Sequence, residues 1–97
     1  MEPDELTVLG RPVPASFDVR VVVVGPGCVR PYDADEWRGA LVVIDRGAIE
    51  LESLAGGRRR LRRGAVLWLA GLSLRAIRNP GDEPAVLAAV SRGWPTP

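Results

Sequence analysis

Residues 64–79 constrain the fold more than any other stretch, because two short apolar segments flank a corner of small residues. The first segment, residues 66–69, has the composition of a buried strand, and the second extends through Ile77. Gly71 lies at the corner between them, and a glycine inside a strand pattern marks a sharp bend. The strands of small barrels bend in this way. The stretch therefore predicts two adjoining strands in the wall of a small β-barrel.

Short apolar segments separated by glycine turns recur along the rest of the chain. Four of them have strand character: residues 17–24, 41–44, 48–54 and 86–90. They are rich in β-branched residues or alternate between apolar and charged ones, and no window of ten residues has a helical period. Residues 29–37 are irregular and polar, and residues 45–47 form a turn. The predicted fold class is an all-β barrel or sandwich without substantial helix.

The register of one hairpin is predicted from its charges. Residues 55–57, Ala-Gly-Gly, form a three-residue loop between two strands. Three cross-strand pairs follow: Leu51 with Leu61, Glu52 with Arg60, and Glu50 with Arg62. A two-residue loop would instead place Leu51 opposite Arg62, an unfavourable pair. We therefore expect the apolar pair inside and the two charge pairs outside.

The chain has 97 residues, which suits one domain. We expect an extended arm at residues 1–15, the β-domain at residues 16–91 and a tail at residues 92–97. No apolar run approaches the roughly 20 residues that span a bilayer, and the acidic start is unlike a signal peptide. Cys28 is the single cysteine, so no internal disulfide is possible. These features predict a cytoplasmic protein that does not contact a membrane.

Arginine supplies all thirteen basic residues, and lysine and histidine are both absent. This usage is typical of a GC-rich bacterial genome. The net charge of +1 provides no global field for nucleic acid. Five arginines in residues 58–63 form a basic run, but no aromatic residue interleaves with them and Glu50 and Glu52 are predicted to lie opposite. We expect a solvated hairpin face there and no nucleic-acid partner.

The spacing of residues 27–47 has a counterpart in a known family. Gly27 is followed by five residues, then Asp33-Ala34-Asp35, four residues, Ala40, six residues and Gly47. This pattern resembles the first motif of the cupin family, in which His-x-His and Glu stand at the positions of the two aspartates and the alanine. The spacing is retained and the metal-binding residue types are not.

The second cupin motif has a similar counterpart further along the chain. Gly64 opens a strand, and Arg75 stands four positions before Asn79, where cupins place a metal-binding histidine. The run Asn-Pro-Gly-Asp-Glu-Pro at residues 79–84 is also typical of cupins. The resemblance, from Gly27 to about Val90, implies a small single-domain cupin. Its expected form is an antiparallel jelly-roll barrel of six to eight strands that pairs as a homodimer.

The residue types at these positions argue against a metal. Asp33 and Asp35 are two apart and so are expected to point to the same side of a strand. Ala40 offers no ligand, and Arg75 carries a fixed positive charge that repels a divalent ion. Since histidine, the commonest metal ligand, is absent, we predict no metal and no cofactor.

The candidate site consists of Asp33, Asp35 and Arg75 at the mouth of the barrel. There the guanidinium replaces the metal, bridges the two carboxylates and faces a polar ligand. The alternative is a salt bridge at the barrel rim or aspartates in a solvated loop, without a ligand. Three aromatic residues are candidates for lining the pocket: Tyr32, Trp37 and Trp68. Trp68 has two alternative roles, in the core or at a dimer contact.

Three functions remain open at this point. The leading hypothesis is a non-catalytic small-molecule-binding or accessory protein. The second is a metal-independent isomerase, cyclase or lyase with Asp33 or Asp35 as the acid/base and Arg75 as an anion clamp. The third is a purely structural dimer partner. An open tryptophan-lined cavity favours the first two, and a mouth plugged by Leu72, Leu74 and Trp68 favours the third.

Overall fold

The computed structural model describes residues 7–92, which form short antiparallel strands and one 3₁₀ helix. The strands are β1 (Thr7–Val8), β2 (Arg11–Pro12), β3 (Phe17–Val24), β4 (Val29–Pro31), β5 (Leu41–Arg46), β6 (Ala48–Ser53), β7 (Arg58–Arg62), β8 (Val66–Leu67), β9 (Leu74–Arg78) and β10 (Ala85–Arg92). The 3₁₀ helix spans Ala34–Trp37. Among these residues no helix is long and apolar enough to cross a membrane.

Eight strands form two four-stranded sheets. Sheet 1 has the order β3-β10-β5-β8 and sheet 2 the order β4-β9-β6-β7, while β1 and β2 make a separate hairpin. Every neighbouring pair is antiparallel. The all-β jelly-roll prediction is therefore confirmed, although the two sheets do not close into a continuous barrel.

Apolar side chains from the facing surfaces of the two sheets form the core. Val22 and Val24 on β3 alternate with exposed neighbours, and Ile49 and Leu51 alternate with Glu50 and Glu52 on β6. The largest fully buried side chains come from both sheets and their connections: Trp37, Ile44, Ile49, Leu69, Ile77, Leu87 and Val42. Burial of each aliphatic side chain stabilises the fold by about 1.5–3 kcal/mol. The period-two pattern of the sequence thus translates directly into the sandwich.

Asn79 is a buried polar residue beside this core, and its side chain connects two segments of the chain by hydrogen bonds. It is 2% exposed, and its side-chain amide donates to the carbonyls of Val24, at 2.9 Å, and Glu83, at 2.7 Å. Its side-chain oxygen accepts from the Gly81 N–H at 2.9 Å. A buried amide with these partners satisfies the backbone of two loops at once. This structural role accounts for the asparagine of the second motif.

The β6–β7 hairpin corrects the predicted register. Five pairs define it: Ala48 with Arg62, Ile49 with Leu61, Glu50 with Arg60, Leu51 with Arg59, and Glu52 with Arg58. The loop has three residues as predicted, but they are residues 54–56 and not 55–57. Gly56 takes a left-handed φ of 96° at the third position, and the Ser53 N–H donates to the Gly57 carbonyl at 2.8 Å. The pairing is therefore displaced by two residues, and each side chain keeps its face.

Two connections also differ from expectation. Residues 29–37 are not wholly irregular, since β4 pairs with β9 and a 3₁₀ helix follows. The turn predicted at residues 45–47 is shorter, because β5 continues to Arg46. Only Gly47 turns the chain, with a φ of 72°, and a Cβ there would lie 2.8 Å from the Pro84 carbonyl oxygen. The β5–β6 turn therefore lies too close to the start of β10 for a side chain at this position.

The predicted arm contains the β1–β2 hairpin, and the Leu9 N–H donates to the Asp45 carboxylate at 2.7 Å. Residues 1–6 and 93–97, which include the rest of the arm and most of the tail, lie outside the described residues. The limits given for arm, domain and tail stay predictions.

Candidate functional site at the open edge of the sandwich

Asp33 and Asp35 lie at the start of the 3₁₀ helix, on the surface. Asp33 caps the helix, and its carboxylate accepts from the Asp35 N–H at 3.0 Å. Asp35 forms an ion pair with Arg38, and both of those side chains are about three-quarters exposed. Both aspartates therefore have local, solvated roles.

Arg75 lies on the outer surface of sheet 2. A β-bulge causes this position, because Glu52 pairs with Ala76 while Ser53 pairs with Leu74, which leaves Arg75 as the extra residue of β9. Its guanidinium lies 3.8 Å from Glu52 and donates to the Leu54 carbonyl at 3.3 Å. Among the described residues it forms no ion pair with either aspartate. The expectation that Asp33, Asp35 and Arg75 converge on the interior is not met.

The positions that cupins use for a metal do not fit one in this chain. One aspartate caps a helix, the other pairs with Arg38, Ala40 has no donor atom, and Arg75 points outward. Within residues 7–92 no three His, Cys, Asp or Glu side chains cluster in a way that would hold an ion.

Two of the three candidate aromatic residues fill the interior. Trp37 is 0% exposed and belongs to the core. Tyr32 is half-buried, and its hydroxyl donates to the Leu69 carbonyl. Burial raises the pKa of Tyr32 above its usual value, and the charge of Asp33 adds to the effect. These two rings occupy space that a pocket would need, so the interior is packed on their side.

The packed side is one of two long edges of the sandwich, and we call it the closed edge. It brings together β3 of sheet 1 and β4 of sheet 2 through Arg20, Arg30 and Glu36. Arg20 reaches the Glu36 carboxylate at 3.2 Å and its carbonyl at 2.7 Å, and Arg30 contacts the same carboxylate oxygen. The Arg20 guanidinium also stacks over Trp37, 5.1 Å from the ring centroid. One carboxylate thus joins arginines from both sheets.

The opposite edge, between β7 and β8, contains a groove of about 430 Å³, and we call it the open edge. Its apolar lining comes from strands of both sheets and from the loop after β8: Leu51, Leu61, Val66, Leu67, Trp68 and Leu72. Trp68 is 58% exposed and Leu72 is 41% exposed. Trp68 is therefore neither a core residue nor a plug, and it forms a wall of the groove.

Arg59 is the one charged residue that lines this groove. Arg59 is on β7, directly opposite Leu51 of β6, so its side chain lies on the same inner face as that of Leu61. It has no ion-pair partner among the described residues. An adjoining hollow of about 300 Å³, lined in part by Ser53, Arg59 and Leu74, extends the groove toward the hairpin loop. The sequence signal for Arg59 was its alternation with Leu61 in the basic run.

The remaining charges of β6 and β9 lie on the outer face of sheet 2. Arg78 donates to Glu52 at 2.7 Å, and Arg58 lies 3.5 Å from Glu50. The hydrogen bond from Arg78 lowers the pKa of Glu52, and the positive charges of Arg78, Arg58 and Arg75 add to that effect. Glu50 and Glu52 thus point to the outer face, and neither of them lines the groove of the open edge.

A third hollow, of about 360 Å³, lies beside the β5–β6 turn. Arg46 and Glu83 contribute opposite charges to its lining, and Gly47, Pro84 and Val86 complete it. It has no aromatic wall. The open edge has both an aromatic wall and an uncompensated charge, and is the stronger candidate for a ligand.

Two solved structures share this fold. A Cupin 2 conserved barrel domain protein from Salinispora arenicola CNS-205 is 29% identical with a TM-score of 0.55, and the match covers 80% of this chain and 64% of that chain. The chain thus spans less than two thirds of that protein. The Cupin_2 domain of an XRE family transcriptional regulator from Enterobacter cloacae is 24% identical with a TM-score of 0.54, and 84% of each chain is covered.

No protein-family model and no curated protein matches the chain. The likeness to the two solved structures agrees with the spacing of the two motifs and with the two antiparallel sheets. The chain is a small cupin-like single domain.

Proposed function

We propose that this domain binds a small molecule in the groove of the open edge, without a metal and without catalysis. The cupin fold in general suits small-molecule binding. The observation that carries the proposal is the groove itself, where Trp68 and Leu72 remain exposed beside Arg59. Large apolar side chains gathered around one polar group are typical of ligand sites.

The catalytic alternative lacks support from the geometry. It needs a carboxylate next to an arginine in a shared pocket, and Asp33, Asp35 and Arg75 have separate partners on the surface. The residues that line the groove of the open edge include no carboxylate, cysteine or hydroxyl group. Since general acid–base catalysis requires such a group within reach of the substrate, binding is the better proposal.

The test is a screen of small aromatic and aliphatic compounds by ¹H–¹⁵N NMR spectroscopy. The indole N–H signal of Trp68, assigned with Trp68→Phe, is expected to shift on binding, whereas that of buried Trp37 is expected to stay in place. Native mass spectrometry of freshly expressed protein checks for a retained ligand or metal. Shifts confined to residues around Asp33, or about one transition metal per chain, would overturn the proposal.

We also propose that two copies associate through sheet 1. β3 is an eight-residue strand at the edge of this sheet, and Val21 and Val23 on its outer face are 57% and 58% exposed. An exposed apolar edge strand is a template for pairing, and a two-fold axis lets both copies use the same surface. Sedimentation at micromolar concentration is expected to give a dimer, and Val21→Lys is expected to weaken it. A wild-type monomer would refute the pairing.

A further inference from the structure

We propose that the ligand of the open edge is an amphipathic monocarboxylate, with an aromatic or bulky apolar body and one anionic group held by Arg59. This inference rests on the proposed binding function and adds the chemical class of the ligand. Three features of the groove lead to it: the apolar lining, the unpaired cation and the absence of acidic residues.

The lining of the groove favours a ligand with an apolar body. Six apolar residues surround the groove, and the exposed indole of Trp68 offers a flat surface on which a ring can stack. Leu61 and Leu67 pack from below against the core. A purely polar ligand such as a sugar or free phosphate would leave these surfaces in contact with unmatched polar groups. An apolar body instead removes them from water.

Arg59 sets the head group. Six of the thirteen arginines have a carboxylate beside them: Arg20 and Arg30 share Glu36, Arg75 and Arg78 share Glu52, Arg58 pairs with Glu50, and Arg38 pairs with Asp35. Of the other seven, Arg59 is the one that lines the groove. Arg59 is exposed to solvent, lines the groove beside Leu51 and Leu61, and has no such partner among residues 7–92. A guanidinium binds a carboxylate through two parallel hydrogen bonds. A ligand carboxylate supplies what the fold does not.

The charge around the groove also selects against other head groups. No acidic residue lines the groove or the adjoining hollow. Glu50 and Glu52 belong to the opposite face of β6. A cationic ligand would therefore meet Arg59 without compensation, and a neutral one would leave the guanidinium unpaired.

Arg60 provides a matched control on the same strand. It carries the same charge as Arg59 but lies opposite Glu50, on the outer face. Arg59→Gln and Arg60→Gln therefore remove one positive charge each from adjacent positions on opposite faces. An effect of net charge would be shared by both variants, and an effect of direct contact would appear only in Arg59→Gln.

The experiment titrates three probes with one ring system: 2-naphthoate, 2-naphthalenemethanol and 2-naphthylmethylamine. Isothermal titration calorimetry and the Trp68 indole signal are used together. We expect 2-naphthoate to bind on the order of tenfold or more tightly than the neutral alcohol, and the amine to bind weakest. Arg59→Gln is expected to reduce naphthoate affinity to that of the alcohol, Arg59→Lys to leave an intermediate affinity, and Arg60→Gln to leave it unchanged.

The outcomes separate this inference from the proposed function. If the alcohol binds as tightly as naphthoate and Arg59→Gln has no effect, the groove binds ligands and the carboxylate inference is wrong. Equal losses in Arg59→Gln and Arg60→Gln would also overturn it, in favour of a general charge effect. If no probe shifts the Trp68 signal, both the inference and the groove as a binding site are contradicted. Circular dichroism spectra of the variants establish that each is folded.

Discussion

The two long edges of the sandwich differ in how the strands of sheet 1 and sheet 2 are connected. At the closed edge, β3 and β4 are joined by Glu36 and its two arginines, and Trp37 fills the space behind them. At the open edge, β7 and β8 diverge after the turn at residues 63–65, and no carboxylate links the two strands. Three apolar residues of this edge, Val66, Trp68 and Leu72, remain exposed to solvent.

This difference indicates where stability and binding reside. A side chain that is fully packed contributes to folding because water is excluded from it in the native state only. An exposed one such as Trp68 contributes little to folding and is available for a ligand. Trp37 and Tyr32 occupy the interior near the closed edge, whereas the groove lined by Trp68 lies at the opposite edge.

The largest expected difference in the free energy of unfolding is between alanine substitutions of the tryptophan at each edge. Trp37→Ala is expected to lower the free energy of unfolding by about 3–5 kcal/mol, since it empties a fully buried site. Trp68→Ala is expected to lower it by less than about 1 kcal/mol, since most of the ring is already in water. Urea denaturation followed by circular dichroism measures both changes.

Trp37→Phe keeps this comparison testable if the alanine variant does not fold. The Trp37 indole N–H is buried without a hydrogen-bond partner among the described residues. Phenylalanine removes that unpaired donor while retaining most of the apolar volume, so a smaller loss is expected than for alanine. Similar losses for Trp37→Phe and Trp68→Ala, both below about 1 kcal/mol, would contradict the assignment of closed and open edges.

The second effect concerns the charge cluster of the closed edge. Glu36→Gln leaves Arg20 and Arg30 without their shared carboxylate, and a loss of about 1–2 kcal/mol is expected because both arginines are partly screened by solvent. Asp35→Asn is the control, since the Asp35–Arg38 pair is three-quarters exposed, and its cost is expected to stay below about 0.5 kcal/mol. Thermal and urea unfolding provide the values. Equal costs would mean that Glu36 does not join the sheets.

The sequence contained most of the fold because the fold depends on simple periodicity. Alternation placed Ile49 and Leu51 inside and their acidic neighbours outside, as the structure has them. The retained glycine and asparagine spacing identified the cupin-like arrangement, and Asn79 proved to have a structural role that its position alone determines. The alternation depends on residues close in the chain, which a sequence displays directly, whereas the contact of Asn79 with Val24 joins distant parts of the chain.

The candidate site was harder to predict because it depends on local irregularities. A bulge of one residue turns Arg75 to the outer face, and nothing in the motif spacing reveals a bulge. The sequence predicts Trp37 in a pocket wall, whereas in the structure Trp37 packs in the core. Alternation with Leu61 predicts the face of Arg59 in either register, but the residue opposite it, Leu51, follows only from the observed hairpin register, which Gly56 and Ser53 determine. These are tertiary effects that residue types and spacing leave undetermined.

A third effect lies on the outer face of sheet 2, between the two edges, and concerns pH. Glu52 has a folded-state pKa below its unfolded value, first because Arg78 donates a hydrogen bond to it. Its ionised form therefore stabilises the fold above the unfolded pKa, about 4.3, and this contribution is lost as pH falls through the lower folded pKa. Glu52→Gln is expected to show its largest deficit near pH 7 and a vanishing deficit in acid.

Urea unfolding of wild type and Glu52→Gln between neutral and acidic pH measures that dependence. Arg78→Gln supplies the control, because without its main partner Glu52 is expected to lose most of its pH-dependent contribution. A deficit that stays constant with pH would show that Glu52 acts through packing and not through its charge. No histidine, cysteine or carboxylate lines the groove of the open edge, so naphthoate binding there is expected to stay constant between pH 6 and 8.

The last prediction concerns the hairpin register that places Arg59 in the groove, and it is tested by cross-linking. In the observed pairing Arg59 lies opposite Leu51, whereas the register expected from charge alone would place it opposite Ser53, two residues farther toward the loop. In a Cys28→Ser background, Glu50→Cys with Arg60→Cys occupies directly opposed positions on the outer face. Opposed residues of an antiparallel pair have Cα atoms about 4.5–5.5 Å apart, within the range that a disulfide spans. Glu52→Cys with Arg60→Cys is the matched control, displaced by two residues and too distant for an unstrained bridge. Mild oxidation followed by mass spectrometry is expected to cross-link the first pair rapidly and the second slowly or not at all. The reverse order would move Arg59 away from Leu51 and remove the cation from the groove.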